Sequence, residues 1–296
     1  MSTTLFDGTG DRLVSVNLAA VVEQASVGLD PFRIDGDGAP YVPIGNGGIV
    51  LGLCFGDGVF DHAADHAAPG ACLVHNDPAA GSALSAQACI GNPVEVRTGV
   101  AAGELGAVAG KRGEGGRVIA IFRQDVLCRL RPGDQLAVRS RGQGALSLVE
   151  DVTICNIEPD LLARLPIRVD AFALAVKVRA VVPSRLVGNG IGRPTPMWDV
   201  DLQLDRDTAS KWQAEQLRLG DIVAIDDLDA RYNAGYRRGW RSIGVVVHGA
   251  SPQPGHGPGV TVILSGPAGR IDVEADPRGH AGLDEETLLE VARARW

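Results

Sequence analysis

Aromatic residues are scarce in this chain: six Phe, four Trp and three Tyr make up 4% of 296 residues. The core must then be built from Val, Leu, Ile and Ala, and Val and Ile favour the pleated surface of a sheet. No apolar run approaches the ~20 residues of a membrane span. The N-terminus lacks a basic segment followed by an apolar one, so no signal peptide is expected. Basic residues are outnumbered, with 28 Lys and Arg against 36 Asp and Glu for a net charge of −8. That balance argues against a nucleic-acid partner, since phosphate binding needs a basic surface. Cysteine is sparse and odd in number: Cys54, Cys72, Cys89, Cys128 and Cys155, none in C-x-x-C spacing. A disulfide framework and a structural zinc site are therefore not expected, and a reducing cytoplasm fits best.

Glycine is abundant, with 39 residues, about twice the usual share of roughly 7%. It has no Gly-X-Y period, so it points to many tight turns and not to collagen. Short apolar runs such as 49–55, 222–225, 243–247 and 260–264 have the length of buried strands. The expected fold class is mainly β, built of β-barrel or meander modules with a few short helices. Residues 92–122 have the rhythm of a small SH3-like element, which any compact β meander also gives. Helices are expected at 161–165, stopped by Pro166, and at 207–217 and 284–296, the last two being the longest. A boundary near Pro166 divides the chain into an N-terminal β domain, 1–166, and a C-terminal β-rich domain with two helices, 167–296.

Several strings extend over almost the whole chain. Gly56-Asp57, Asp65-His66 and Pro69-Gly70 come first, then Cys89-Ile90-Gly91-Asn92. Leu186 to Gly192, Leu217 to Ile225 and Gly235 to Gly239 follow. A Val-Val-His strand ending at His248 leads to Gly255-His256-Gly257-Pro258-Gly259-Val260-Thr261. In these the chain resembles the bacterial and archaeal family known as domain of unknown function 4438. The resemblance implies a shared, mainly β fold and carries no activity with it.

Three groups of residues could carry chemistry. Asp57, Asp65 and His66 lie in a polar loop, Asp226, Asp227 and Asp229 follow a strand, His248 ends a strand, and His256 sits between glycines. Imidazoles and carboxylates are ligands of divalent metals and general acids and bases. His66, His256, Asp65 and Cys89 are the candidate catalytic residues, and His66, His256, His248 and Asp226 the candidate metal ligands. The bland reading makes the loop histidines and aspartates turn residues. The second group is Gly188-Asn189-Gly190-Ile191-Gly192, which opens no predicted helix and so fails the context of a dinucleotide fingerprint. No nucleotide cofactor is expected. Backbone N–H groups of Asn189, Gly190 and Gly192 could instead cradle an anion, helped by Arg237 and Arg238, or the segment is a glycine turn. Cys89 is the third, a nucleophile if a base such as His66 is near, otherwise a small buried apolar residue. Together these suggest an enzyme acting on a small polar, anionic metabolite by acid/base chemistry. Hydrolase, lyase and isomerase classes stay open, a metal is optional, and the site lies between the two halves. The alternative is a non-catalytic protein that binds a small ligand or a partner. A small-molecule ligand and no membrane are expected, and homo-oligomerisation is left open.

Overall fold

The computed structural model describes residues 13–27, 30–170, 172–279 and 281–296. The first twelve residues, over which no signal peptide is expected, lie outside them. The chain is mainly β, with 38% strand and 15% helix. In the N-terminal half, Val16–Val22, Gln135–Ser140, Pro93–Val96, Leu105–Arg112, Arg117–Ile121 and Gly70–Val74 pair in that order. Gly70–Val74 pairs back onto Val16–Val22, which closes a six-stranded barrel. The 92–122 segment therefore supplies three neighbouring strands of a larger barrel. In the C-terminal half, Ala180–Pro183, Ile222–Asp229, Gly235–His248 and Gly259–Pro267 form a second sheet, which Thr153–Ile154 joins from before Pro166, with Val200–Asp201 added beside Gly259–Pro267.

Why several strands read as unbroken apolar runs is visible in their burial. Val118 and Ala120 point into the barrel, while Ile119 and Ile121 point outward into a second core with Ile243, Val245 and Ile263. The C-terminal sheet does the same. Ile222 and Ala224 face that shared core, whereas Val223 and Ile225 face a third. A strand covered on both sides has no polar face to alternate with. The shared core joins the halves, and truncating a member such as Ile119 to Ala should cost about 2–5 kcal/mol.

The helices only partly follow expectation. Glu285–Arg295 forms, with the Asp284 carboxylate accepting from the Thr287 N–H. The 207–217 helix does not: the chain makes one turn at Arg206–Ala209 and a 3₁₀ turn at Ser210–Trp212. Gln213 then ends it in the left-handed region. The other long helix is Pro78–Gln87. Its start was written as Asp77-Pro78, an N-cap whose carboxylate accepts from the Ala80 N–H and a proline that cannot disturb the first turn. The 161–165 helix sits earlier, at Pro159–Leu162. No described helix is long and apolar enough to cross a membrane.

Candidate active site

The site begins with three adjacent strands. Gly259 is paired with Asp201 on one side and with His248 on the other. Because Gly259 has no side chain, the two flanking groups meet across it, His248 Nε2 lying 3.3 Å from Asp201 Oδ1. A Cβ on Gly259 would fall 1.9 Å from His248 Nε2. Gly257 is equally constrained, since a Cβ there would fall 1.8 Å from the Leu202 carbonyl oxygen. Gly257 and Gly259 are thus the residues of this string that let His248 and His256 close on Asp201.

His66 arrives from the N-terminal half. Its loop is pinned to the segment that follows His248: the Gly249 N–H donates to the Ala67 carbonyl and the His66 N–H to the Ala250 carbonyl. His66 holds a left-handed backbone, φ 52°, a conformation that costs of order 1–3 kcal/mol in a non-glycine residue and clusters at functional sites. His66 Nδ1 lies 2.5 Å from Asp65 Oδ1, and Nε2 lies 2.9 Å from His256 Nδ1 and 3.5 Å from Asp201 Oδ2. His256 Nδ1 is also 2.8 Å from Asp201 Oδ2 and 3.4 Å from Glu114 Oε1. Glu114 comes from the barrel turn between Leu105–Arg112 and Arg117–Ile121, and the Arg112 guanidinium beside it donates to the His66 carbonyl and the Asn46 amide oxygen. The Asp199 carboxylate accepts from the Gly113 N–H of the same turn and lies 2.9 Å from His248 Nε2. Both halves therefore contribute ligand-type atoms to one cluster.

Burial disfavours charge on Asp65, Asp201, His248 and His256, and the neighbours outweigh it. Around Asp65, burial is opposed by the His66 hydrogen bond and charge, with Ser251 and Arg33, which together hold the carboxyl down at about 2. Asp201 is buried as well, yet the hydrogen bonds of His248, His256 and His66 keep it well below the usual carboxylate range. His248 goes the other way. Despite burial, Asp199 and Asp201 lift its imidazole to about 9, so it is a cation at neutral pH. Its Nδ1 donates to the Gly249 carbonyl. His256 is raised too, against burial, by Asp201 and then Glu114.

A cleft of about 930 Å³ opens beside the cluster and is bordered by Glu114, Asn46, Asn189, Arg193, Trp198 and Gln253, among others. Among the described residues, two sets of atoms could hold a metal. His66, Glu114 and His256 offer one set, and Asp199, Asp201 and His248 the other. Each set lies within 4.8 Å. Asp201 spans them, with Oδ2 on the first and Oδ1 on the second.

The N-terminal domain of unknown function DUF4438 matches residues 32–163 and its C-terminal counterpart residues 164–282. The chain belongs to the DUF4438 family. It is similar to the crystal structure of TM1086, at 36% identity over 92% of this chain and 96% of that one, with a TM-score of 0.88. No curated protein matches it.

Against this DUF4438 framework the sequence candidates separate. Asp65, His66, His248 and His256 come together. Asp226 does not join them, because its carboxylate is held by Arg241 across the strand pair. Cys89 is fully buried, and burial pushes its thiol up to about 11. Its backbone N–H donates to the Asn92 side-chain oxygen and its thiol faces the Gln87 carbonyl, so it packs as a small core residue. The anion cradle at 188–192 also fails. The Asn189 N–H donates to the Gly255 carbonyl and the Gly192 N–H to Ala234. A Cβ at Gly188 would lie 2.0 Å from the Gly255 oxygen and one at Gly190 2.5 Å from the Asp199 oxygen. Those glycines serve close packing of the loop onto the site. Arg237 pairs with Asp229 and stacks on Trp240, and neither it nor Arg238 borders the cleft.

Sequence reading missed Asp199, Asp201 and Glu114. Asp199-Val200-Asp201 did carry a signal, since alternate residues of an extended segment share a face. Glu114, in Gly113-Glu114-Gly115-Gly116, looks like any turn residue and carried none.

Proposed function

We propose that this protein is an enzyme that performs acid/base chemistry on a small anionic metabolite at the His66–His256–Asp201 cluster, with a divalent metal held there. The reaction is of the hydrolase, lyase or isomerase kind. The observation that carries the reading is the convergence of His66 Nε2, His256 Nδ1 and Asp201 Oδ2 within 2.8–3.5 Å of one another. His66 has its other ring nitrogen on Asp65, the carboxylate–histidine arrangement that fixes the tautomer of a ligating imidazole. Two imidazoles and carboxylate oxygens suit Zn, Mn or Fe. A bound ion would supply Lewis acidity and a more acidic bound water. Glu114 borders both the cleft and His256, which suits it to take or return a proton at the substrate. His248 and Asp199 hold Asp201 in place from behind. A reducing cytoplasm belongs to the same proposal, and five unpaired cysteines support it.

Metal analysis of purified protein, followed by a metabolite screen with and without chelator, tests this reading. About one equivalent of a transition metal is expected, lost in His256→Ala and Asp201→Asn variants that still fold. Metal-free protein that stays so after incubation with Zn²⁺, Mn²⁺ and Fe²⁺ would sink it.

A further inference from the structure

The cleft beside the cluster has its own chemistry. Three arginines border it, but two are already committed. Arg33 donates to Asp65 and Gln253, and Arg117 donates twice to Glu23. Arg193 is exposed and has no carboxylate partner among the described residues. It lies over the Trp198 ring, with the guanidinium carbon 4.6 Å from the ring centroid. That ring is fixed in turn by Gly113, where a Cβ would fall 1.9 Å from it.

Two buried donors border the same cleft without a partner among the described residues: Trp198 Nε1 and Asn46 Nδ2. Asn46 is only 5% exposed. Its amide oxygen accepts from Arg112, which fixes the orientation of the group and leaves the NH₂ unpartnered in the wall of the cleft. A buried donor with nothing to bond costs about 1–3 kcal/mol, and two beside one free guanidinium form a set that an oxyanion would satisfy.

We infer that this cleft binds the carboxylate group of the substrate, with the Arg193 guanidinium, the Trp198 indole N–H and the Asn46 amide as donors. The inference rests on the proposed function for what happens next to it, because Glu114 borders the cleft and lies 3.4 Å from His256. Charge selects the class of anion. One uncommitted cation and two neutral donors match a single negative charge. The Glu114 carboxylate at the cleft border opposes a second, which disfavours a phosphate dianion. A planar carboxylate also suits the guanidinium fork.

The indole N–H of Trp198 gives a direct readout. Propionate titrated into isotope-labelled full-length protein should shift that one resonance, identified by its disappearance in Trp198→Phe. Inorganic phosphate at equal concentration should shift it less. Arg193→Ala should weaken the propionate response about tenfold, as expected for a charge-assisted bond, and Arg193→Lys by less. His256→Ala should leave it in place. An unshifted indole, a tighter response to phosphate, or a response unchanged in Arg193→Ala overturns the inference. Loss of the response in His256→Ala with retention in Arg193→Ala also overturns it, by placing the carboxylate on the cluster, and leaves the proposed function standing. A normal propionate response in protein that binds no metal breaks the proposed function and leaves this inference standing.

Discussion

His248 and His256 lie eight residues apart, and both touch the carboxylate of Asp201. One is sealed in the sheet at 1% exposure, with both ring nitrogens bonded, while the other sits on a loop at 11%, beside the Glu114 that borders the cleft. That difference in access suits the two imidazoles to different roles. In the interior, His248 is a cation at neutral pH that bonds to Asp199 and helps hold Asp201 ionised. On its loop, His256 keeps contact with His66 and Glu114, which under the proposed function suits it to exchange a proton or hold a metal. Access, more than residue type, separates a structural histidine from a chemical one.

The sharpest way to break this contrast is to remove each ring. His256→Ala should lower turnover by 10²–10⁴-fold, the usual worth of a general acid/base group, and abolish metal retention while barely moving the melting temperature. A large drop in melting temperature would make His256 as structural as His248. His248→Leu should do the opposite and unfold the protein more easily by about 3–5 kcal/mol, because two buried carboxylates lose their cation. Urea midpoints measure this.

The pH dependence follows from the same pair. The folded imidazole of His248 protonates at about 9, above its ordinary 6.5. Its stabilising contribution is therefore complete below pH 6.5 and is lost as pH rises through about 9. Wild-type protein in chelator should weaken between those values, and His248→Leu should lack that component. An identical slope in both would show that His248 is neutral in the fold.

Asp65→Asn probes the outer partner of His66 and should cost about 10–100-fold in metal affinity with the fold retained. The smallest effect belongs to the arginine doublet that the sequence suggested as an anion site. Arg237 is half exposed and paired with Asp229, so Arg237→Ala should change stability by at most about 1 kcal/mol. Propionate binding should be unaffected. A loss of binding there would move the anion site away from Arg193.

How much of this was legible in the sequence differs by element. The strands 117–121, 222–229 and 259–267 announce themselves as Val- and Ile-rich runs, because burial on both faces leaves no polar alternation. The terminal helix announces itself through Asp284. The helix at 78–87 was obscured by its small residues, Ala-Ala-Gly-Ser-Ala, which lack an apolar stripe, although Asp77-Pro78 marked its start. The 207–217 segment had helix-forming residues but only Ala209, Ala214 and Leu217 to bury, too few on one face to continue a helix past Gln213.

The sequence alone decided that the protein is mainly β and belongs with DUF4438, because strand runs and glycine strings are local properties of the chain. It also set aside the histidines of two distant loops as candidates. Only the tertiary structure decided which carboxylates they meet. Asp201 and His248 become neighbours through their separate pairings with Gly259, Glu114 through the barrel turn, and His66 through a loop pinned to Gly249 and Ala250. Such meetings depend on strand register and on the absence of a Cβ at Gly257 and Gly259, which are three-dimensional facts with no counterpart in residue spacing.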